Sequence, residues 1–539
     1  MKHISKLLFL PLFLLTSCTI SFEKSSSVWE RPTTETSPIE ESNKDSTKKS
    51  DEDSTIQSDD SLSDGSTSSK ELPDTVTIFS INDVHGSLEL DTENRELGLA
   101  RLEYAIKQDK DYDEDTSIIL NGGDAWQGGY LAYKDKTMTD KILSEMGIEF
   151  LTLGNHEFDW GIKAIQDNQA VAPYPYLGCN ILDKNAEMAS FVKGSTIIEK
   201  GGVKYGIIGA IGADQESSIS EGLLEDYYFS EDLDLIQKEV DYLQEQDCDL
   251  ILLSLHDSVD SPYTLSIANT FTSDAIQGIF GAHSHRFENA KIGNYNLPYV
   301  QGGSNAKGYC KMTFNMKSKQ ATNTYYTNAY SSYCDIDEND PVLNSNIQSI
   351  IDEATQQFQP DTSLCYFNGD FRRYNELNQF VPESMILAAQ KQGLGSTHGG
   401  NELLAIHNLG GIRSNIASGE GTMRKLYKTF PFENTVEYAT NILGSDINKM
   451  LEYSASCPTI YASDYYCFMT ESRTALDLSK TYDIVTISYV TGTSYFKNAV
   501  NNTNVYPLYP DKTAYYTLDL IADRISNPAG QTFYASDYR

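Results

Sequence analysis

Residues 150–159 read FLTLGNHEFD, a short apolar run followed by glycine and then by polar side chains. An apolar run of this length is typical of a buried strand. Gly154 lets the backbone turn sharply and approach a ligand closely. Asn155, His156 and Asp159 then present oxygen and nitrogen atoms at the carboxyl end of the strand, where α/β sheets bind their ligands. The stretch therefore predicts a strand that leads into a polar site.

Four other apolar runs share this design, because each also ends in Asp, Asn or His, usually beside glycine. The five runs are Val76–Ile81, Ile118–Leu120, Phe150–Leu153, Leu250–Leu253 and Ala275–Phe280. They alternate with longer polar or helix-compatible segments, which favours an α/β domain. Its five loops are expected to meet in one place.

Histidine is concentrated in these loops, which hold five of the eight histidines of the chain. Together with Asp and Asn, these histidines offer mixed nitrogen and oxygen ligands. Such a set suits Zn, Mn, Fe or Co rather than Ca. The loops contain enough ligands for two divalent metal ions that share a carboxylate.

The order of the five loops resembles the calcineurin-like metallophosphoesterases, and more closely the 5′-nucleotidase/UDP-sugar hydrolase family, over residues 75–530. The resemblance implies a four-layer α/β/β/α metallophosphoesterase domain followed by an α+β substrate-binding domain. It implies two ligand sets with one shared aspartate: Asp83, His85, Asp124 and His285 for one ion, and Asp124, Asn155, His256 and His283 for the other. His156, oriented by Asp159, would stabilise the transition state; its alternative role is packing within the loop.

Two motifs of the second domain point to the substrate. Residues 408–413, NLGGIR, resemble the family's phosphate-binding turn and imply that Asn408 and Arg413 contact phosphate; a surface salt bridge is the alternative for Arg413. Residues 429–434, TFPFEN, resemble the segment whose aromatic ring stacks on the nucleobase. This places Phe432 at the base, with a core position as the alternative.

A third family feature is a phosphate-binding arginine, and the sequence leaves open whether Arg372 or Arg373 matches it. The segment 488–496, SYVTGTSYF, departs from the family, which carries an aspartate for the ribose after its second stacking aromatic. Tyr489 is the expected stacking residue, with Tyr495 or Phe496 as alternatives. Loss of a charged acceptor removes roughly 1.5–3 kcal/mol of recognition, so the sequence leaves the preferred nucleotide open.

The N-terminus predicts export. Lys2 and Lys6 flank the apolar run Leu7–Leu15, which is too short to span a membrane and suits a signal peptide. The following residues end in Cys18 and resemble a bacterial lipobox, which predicts a lipid anchor on the extracellular face of the cell membrane. The alternative is an ordinary signal peptide and a secreted protein.

Composition divides the rest of the chain. Residues 19–73 are rich in Ser, Thr, Asp, Glu and Lys, which predicts a disordered acidic tether. Helical spacing of apolar residues, from Ile347 to Phe358, predicts a linking helix. The expected parts are a signal peptide (1–18), the tether (19–73), a metallophosphoesterase domain (74–340), the linking helix (341–360) and a nucleotide-binding domain (361–539).

The formal net charge of −36 argues against a nucleic acid polymer, and against a charge-driven membrane contact apart from the anchor. It also repels phosphate, so the site needs local positive charge, which two divalent ions supply. The predicted activity is hydrolysis of nucleoside 5′-monophosphates to nucleoside and phosphate. Alternatives are a phosphodiesterase or pyrophosphatase acting on cyclic nucleotides, NAD or UDP-sugars, and a non-catalytic surface binding lipoprotein.

The expected disulfides are Cys457 with Cys467, and Cys310 with Cys334.

Overall fold

A computed structural model of the chain describes residues 72–220, 222–451, 465–500, 504–512 and 514–539. The predicted signal peptide with Cys18, the tether up to residue 71, and Cys457 lie outside these ranges. Within the described residues, no helix combines the length and apolar character needed to cross a membrane.

The first part of the chain alternates strands and helices. Its strands are β1 (Thr75–Ile81), β2 (Ile118–Asn121), β3 (Leu151–Thr152), β4 (Tyr176–Leu177), β5 (Ile181–Leu182), β6 (Ser195–Lys200), β7 (Val203–Ile211), β8 (Tyr228–Phe229), β9 (Leu250–His256), β10 (Gly278–Gly281), β11 (Phe287–Ile292), β12 (Leu297–Gly302), β13 (Gly308–Asn315) and β14 (Gln320–Asn328). Its helices are α1 (Leu99–Lys107), α2 (Tyr130–Lys134), α3 (Met138–Glu145), α4 (Ile162–Val171), α5 (Leu233–Glu245), α6 (Pro262–Thr270), α7 (Tyr330–Tyr333) and α8 (Ser345–Phe358). Each of the five apolar runs predicted as a strand overlaps an observed strand.

Two mixed sheets form the centre of this part, with the orders β14-β13-β1-β2 and β11-β12-β10-β9-β7-β6. Buried side chains from both sheets, such as Ile78 of β1 and Leu252 of β9, pack together between them. Because side chains alternate along a strand, Phe79 of β1 faces the other way, into a core with helices α1, α3 and α8. Ile208 of β7 likewise packs with α5 and α6 on the outer face of the second sheet. The result is the predicted four-layer α/β/β/α arrangement.

Helix α8 occupies the segment for which helical spacing was predicted. It buries Ile347, Ile351 and Ala354 on one side, and these residues pack in the helical core beside the first sheet. The spacing of four and three residues puts these side chains on one helical face.

The second part has a different, α+β arrangement. Its strands are β15 (Cys365–Asn368), β16 (Glu402–Asn408), β17 (Gly419–Gly421), β18 (Val436–Leu443), β19 (Tyr466–Thr470), β20 (Thr481–Ile487), β21 (Val505–Pro507) and β22 (Thr532–Tyr534). Its helices are α9 (Leu377–Lys391), α10 (Met423–Thr429), α11 (Gly444–Leu451), α12 (Ser488–Gly492), α13 (Ser494–Val500) and α14 (Thr517–Ser526). The sheets have the orders β19-β16-β20-β18-β21 and β17-β15-β22, and they share one apolar core with the helices.

The predicted disulfide between Cys310 and Cys334 is wrong, because both are free thiols. Cys310 lies on β13 in the core between the two sheets, where its Sγ donates to the carbonyl of Ser80 at 3.7 Å. Cys334 packs instead against the helical core on the other side of the first sheet. The sheet therefore separates the two thiols. Cys467 is also a buried free thiol.

Candidate active site

The seven residues proposed as metal ligands come together at the carboxyl ends of five strands. They reach this position from the loops after β1, β2, β3 and β10 and from the last residue of β9. The parallel pairing of β1 with β2, and of β9 with β10, brings the corresponding strand ends to the same edge. Local sequence thus places each ligand after a strand, and sheet topology gathers them.

The first cluster contains Asp83, His85, Asp124 and His285. The Nε2 atoms of His85 and His285 lie 2.9 Å apart. His285 Nε2 is 3.5 Å from Asp83 Oδ1, and His85 Nε2 is 3.9 Å from Asp124 Oδ2. These distances bring four potential donor groups around one point.

The second cluster shares Asp124 with the first and adds His256 and His283. His256 Nε2 lies 3.2 Å from Asp124 Oδ2. His283 Nδ1 lies 3.1 Å from Asn155 Oδ1, which adds a neutral oxygen to the set. Asp124 is therefore the carboxylate that joins the two clusters.

The protonation of these histidines fits metal binding. The Nδ1 atoms of His85 and His256 face the carbonyls of Gln127 and Gly122 at 3.1 and 2.8 Å, so Nδ1 donates and Nε2 is the atom that faces the cluster. Burial lowers the pKa of His256, but the carboxylates of Asp124 and Asp83 outweigh it and raise the pKa to about 10, so without a metal ion a proton lies between His256 Nε2 and Asp124 Oδ2, which are 3.2 Å apart. Burial lowers the pKa of His285 to about 3 and favours its neutral form, which binds metals. A divalent ion can replace the proton between His256 and Asp124, and the neutral forms of His85 and His285 present Nε2 lone pairs beside carboxylates, so the residues fit a pair of divalent ions.

The backbone at the site is strained. Five of the seven proposed ligands have left-handed φ angles between 50° and 69°: Asp83, His85, Asp124, His283 and His285. Such conformations cost residues other than glycine about 1–3 kcal/mol each, and they occur mainly at functional sites. The adjacent Gly154 is required for a steric reason, since a Cβ there would lie 2.6 Å from His256 Cε1 and 2.7 Å from the backbone nitrogen of Asp124.

Glu157 is a further residue of the site, and sequence reasoning did not assign it a role. Its buried carboxylate accepts hydrogen bonds from the backbone nitrogens of Asp124, Ala125 and Gly154 at 2.9, 2.7 and 2.8 Å. These bonds tie the loop after β2 to the loop after β3. Glu157 therefore positions the two loops that carry Asp124 and Asn155, although its place in the GNHE stretch was the only signal in the sequence.

His156 lies beside the shared carboxylate. Its Nδ1 is 2.6 Å from Asp159 Oδ2, and its backbone nitrogen donates to Asp124 Oδ1 at 2.8 Å. Burial lowers the pKa of His156, but the carboxylates of Asp159 and Asp124 outweigh it and raise the pKa above its usual value. The raised pKa favours an imidazolium, which can donate a proton or a charged hydrogen bond.

A cleft of about 240 Å³ connects this centre to the second part of the chain. Its walls include residues of both parts: Asp124, Asn155, His156, Asp159, Ser218, Ser220, His283, His285, Asn408, Gly410, Arg413, Phe432, Asn434 and Tyr489. Arg413 lies 5.8 Å from the centroid of the Phe432 ring and makes no salt bridge within the described residues. Asn408 contributes a buried Oδ1 without a hydrogen-bond partner. The cleft thus combines a cation, polar atoms and aromatic rings.

The structure separates the aromatic alternatives of the segment 488–496. Tyr489 lines the cleft, whereas Tyr495 is exposed and Phe496 is buried in the apolar core. Phe432 also lines the cleft, and its ring centroid lies 5.8 Å from that of His156.

The two neighbouring arginines occupy different environments. Arg372 binds the carboxylate of Glu376 through Nη2 at 2.8 Å and Nε at 3.0 Å, and half of its side chain is exposed. Arg373 lines a second cavity with Arg413. Its Nη2 donates to the carbonyl of Leu409 at 3.2 Å, and its buried Nε has no acceptor among the residues that the structure describes. Arg373 is therefore the one of the two that faces the site.

The fold and the two linked clusters define a metal-dependent phosphoester hydrolase. The chain belongs to the calcineurin-like phosphoesterases that carry a 5′-nucleotidase C-terminal domain. The model of the first family matches residues 76–287, and the model of the second matches residues 368–466.

Named relatives agree with this assignment. An apyrase from Tabanus yao is 24% identical over 442 residues, which cover 72% of this chain and 74% of the relative. A 5′-nucleotidase from Vibrio cholerae is 23% identical over 452 residues, covering 75% and 79%. Among solved structures, the 5′-nucleotidase precursor from Thermus thermophilus has a TM-score of 0.67 at 18% identity and covers 85% of this chain and 99% of its own. At that identity, the similarity to the structure is one of fold.

Proposed function

We propose that the protein hydrolyses nucleoside 5′-monophosphates to nucleoside and phosphate at the extracellular face of the cell membrane. One observation carries the proposal. A single cleft contains metal ligands, an arginine without a carboxylate partner, and two aromatic rings, Phe432 and Tyr489. These are the groups that a metal-bound phosphate and a stacked nucleobase require.

The proposed ligands are the seven residues of the two clusters, and the ions are drawn from Zn, Mn, Fe or Co. Bound there, two divalent ions supply positive charge to the phosphate and activate water for attack on phosphorus. Arg413 binds a phosphate oxygen, and Arg373, which lines the second cavity together with Arg413, supplies a second guanidinium group to the phosphate. His156, held by Asp159 at 2.6 Å, gives a proton to the departing 5′ oxygen. Phe432 and Tyr489 hold the base, and Asn408 contributes polar contacts to the nucleotide.

The location rests on the N-terminal sequence. The run Leu7–Leu15 and the lipobox-like segment before Cys18 support export and a lipid anchor. Metabolic labelling with a radioactive fatty acid tests the anchor, since Cys18→Ser should abolish incorporation. Labelling that persists in this variant would contradict the assignment.

The activity is tested with the full chain loaded with Mn or Zn, by phosphate release from AMP and from a simple aryl phosphate. Asp124→Asn should abolish turnover, because it removes the charge that both clusters share. Asp167→Asn is a matched control, since Asp167 is exposed and, within the described ranges, pairs only with Lys163 on the surface. Full activity in Asp124→Asn, or no turnover of AMP by metal-loaded protein, would refute the proposal.

A second candidate is the cleavage of pyrophosphate-linked nucleotides. It is favoured by the second cavity, of about 490 Å³, which reaches the metal ligands His85 and His285 and extends beyond Arg413.

A further inference from the structure

The second cavity reaches the candidate metal centre through a different set of lining residues than the first cleft. His285 and Arg413 line both spaces, whereas His156, Phe432 and Tyr489 line only the first. The nucleoside and the proton donor therefore belong to the first cleft. The second cavity, which is the larger, begins at the first metal cluster, where Arg413 and Arg373 reach the reactive phosphate, and beyond that phosphate a nucleoside monophosphate has no part to fill it.

Four cationic side chains line the second cavity: Lys307, Arg373, Arg413 and Lys428. The charge of Lys428 is neutralised, because its Nζ lies 2.5 Å from carboxylate oxygens of both Asp91 and Glu96. Glu96 also lines the cavity, so its negative charge is cancelled by the same pair. The other three have no carboxylate within 4.0 Å among the described residues. This is unusual in a chain with a formal net charge of −36.

Uncompensated donors reinforce the charge. Arg373 Nε and Gln127 Nε2 are buried N–H groups of lining residues and have no acceptor in the described part of the chain. Burial and repulsion from Arg373 lower the pKa of Arg413, as expected for two guanidinium groups held close together without an anion. Buried donors and unpaired cations are costly unless a ligand satisfies them. The cavity is thus suited to an anionic group.

We propose that the second cavity binds a negatively charged group beyond the reactive phosphorus, so that the enzyme prefers pyrophosphate-linked nucleotides whose distal part is anionic. The inference rests on the proposed function, because it assumes that the nucleoside occupies the first cleft. Water attacks the distal phosphorus, and the bond from that phosphorus to the bridging oxygen breaks. The bridging oxygen leaves on a nucleoside monophosphate and takes a proton from His156. The distal phosphorus keeps its substituent as a phosphate monoester. Of the two protons of the attacking water, one restores His156 and the other passes to solvent.

Two UDP-sugars test the proposal, because UDP-glucuronate carries a carboxylate where UDP-glucose carries a hydroxymethyl group. With the full metal-loaded chain, we expect kcat/KM to favour UDP-glucuronate by about tenfold, the lower end of what a hydrogen bond to a charged group contributes. Lys307→Gln should reduce this ratio toward one. Lys317→Gln is the matched control, since Lys317 lies in the turn between β13 and β14 and does not line either cavity; it should leave the ratio unchanged.

The outcomes separate the two proposals. If AMP is hydrolysed but UDP-glucuronate shows no advantage, or if neither UDP-sugar is cleaved, the inference is overturned and the nucleotidase assignment stands. An advantage that survives Lys307→Gln unchanged also overturns it. Failure of the metal-loaded protein to hydrolyse AMP counts against the proposed function itself.

Discussion

The neighbouring arginines 372 and 373 allow a test with a built-in control. Replacement of Arg373 by glutamine should weaken substrate binding, because its guanidinium lines the second cavity beside Arg413 and its buried Nε has no protein acceptor. A hydrogen bond to a charged group contributes roughly 1.5–3 kcal/mol. We therefore expect kcat/KM for AMP to fall by roughly 10- to 150-fold, since each 1.4 kcal/mol corresponds to about a factor of ten.

The same substitution one residue earlier should behave differently. Arg372 makes two hydrogen bonds to the buried carboxylate of Glu376, which Arg539 also contacts at 3.2 Å. Arg372→Gln should therefore lower the Tm slightly and leave kcat/KM within about twofold of the original value. Arg373→Gln should show the reverse pattern.

Steady-state kinetics with AMP and calorimetric melting of both variants, at matched metal content, decide between them. The reasoning is refuted if Arg372→Gln loses activity while Arg373→Gln retains it, or if both retain it. Equal loss of activity with equal loss of Tm would indicate damage to the shared turn rather than to phosphate binding.

Three further substitutions test the surroundings of the metal centre. Gly154→Ala should reduce the amount of bound metal, measured by mass spectrometry, and lower kcat/KM by about 10²-fold. The reason is that the new Cβ would lie 2.6 Å from His256 Cε1 and displace this proposed ligand. Full metal content in the variant would contradict the packing argument. Asp159→Asn should lower the pKa of His156, because it removes the carboxylate that raises this pKa. The acid form is then lost at a lower pH, and the alkaline limb of the kcat/KM profile shifts to lower pH. An alkaline limb at an unchanged pH would exclude His156 as the titrating acid. Lys428→Gln should lower the free energy of unfolding, measured in urea, by about 1–3 kcal/mol, because it leaves the carboxylates of Asp91 and Glu96 without their cation. An unchanged urea midpoint would show that these ion pairs do not stabilise the fold.

The lining of the first cleft implies that the proposed activity depends on both parts of the chain. His156 and Asp159 come from one part, and Arg413, Phe432 and Tyr489 from the other. Side chains that are far apart in sequence thus surround the same space. Any movement of one part against the other changes the distance between Arg413 and the proposed metal ligands.

Most features of the candidate metal centre depend on residues that are close in sequence, and the sequence alone determined these features. A short apolar run specifies a buried strand, and the glycine and polar residues after it specify a turn that presents ligands. His156 and Asp159 are three residues apart, so their contact is also local. For this reason the strands, the loops and the residue types that gather at the strand ends were predictable from the sequence.

The tertiary structure alone decided which side chains meet and which way they point. Arg372 and Arg373 are adjacent and chemically identical, yet one pairs with Glu376 and the other lines a cavity. Cys310 and Cys334 are close in sequence but lie on opposite faces of one sheet. The physical reason is that side-chain direction and long-range packing depend on how the sheets and helices stack around buried surface, which no local pattern records.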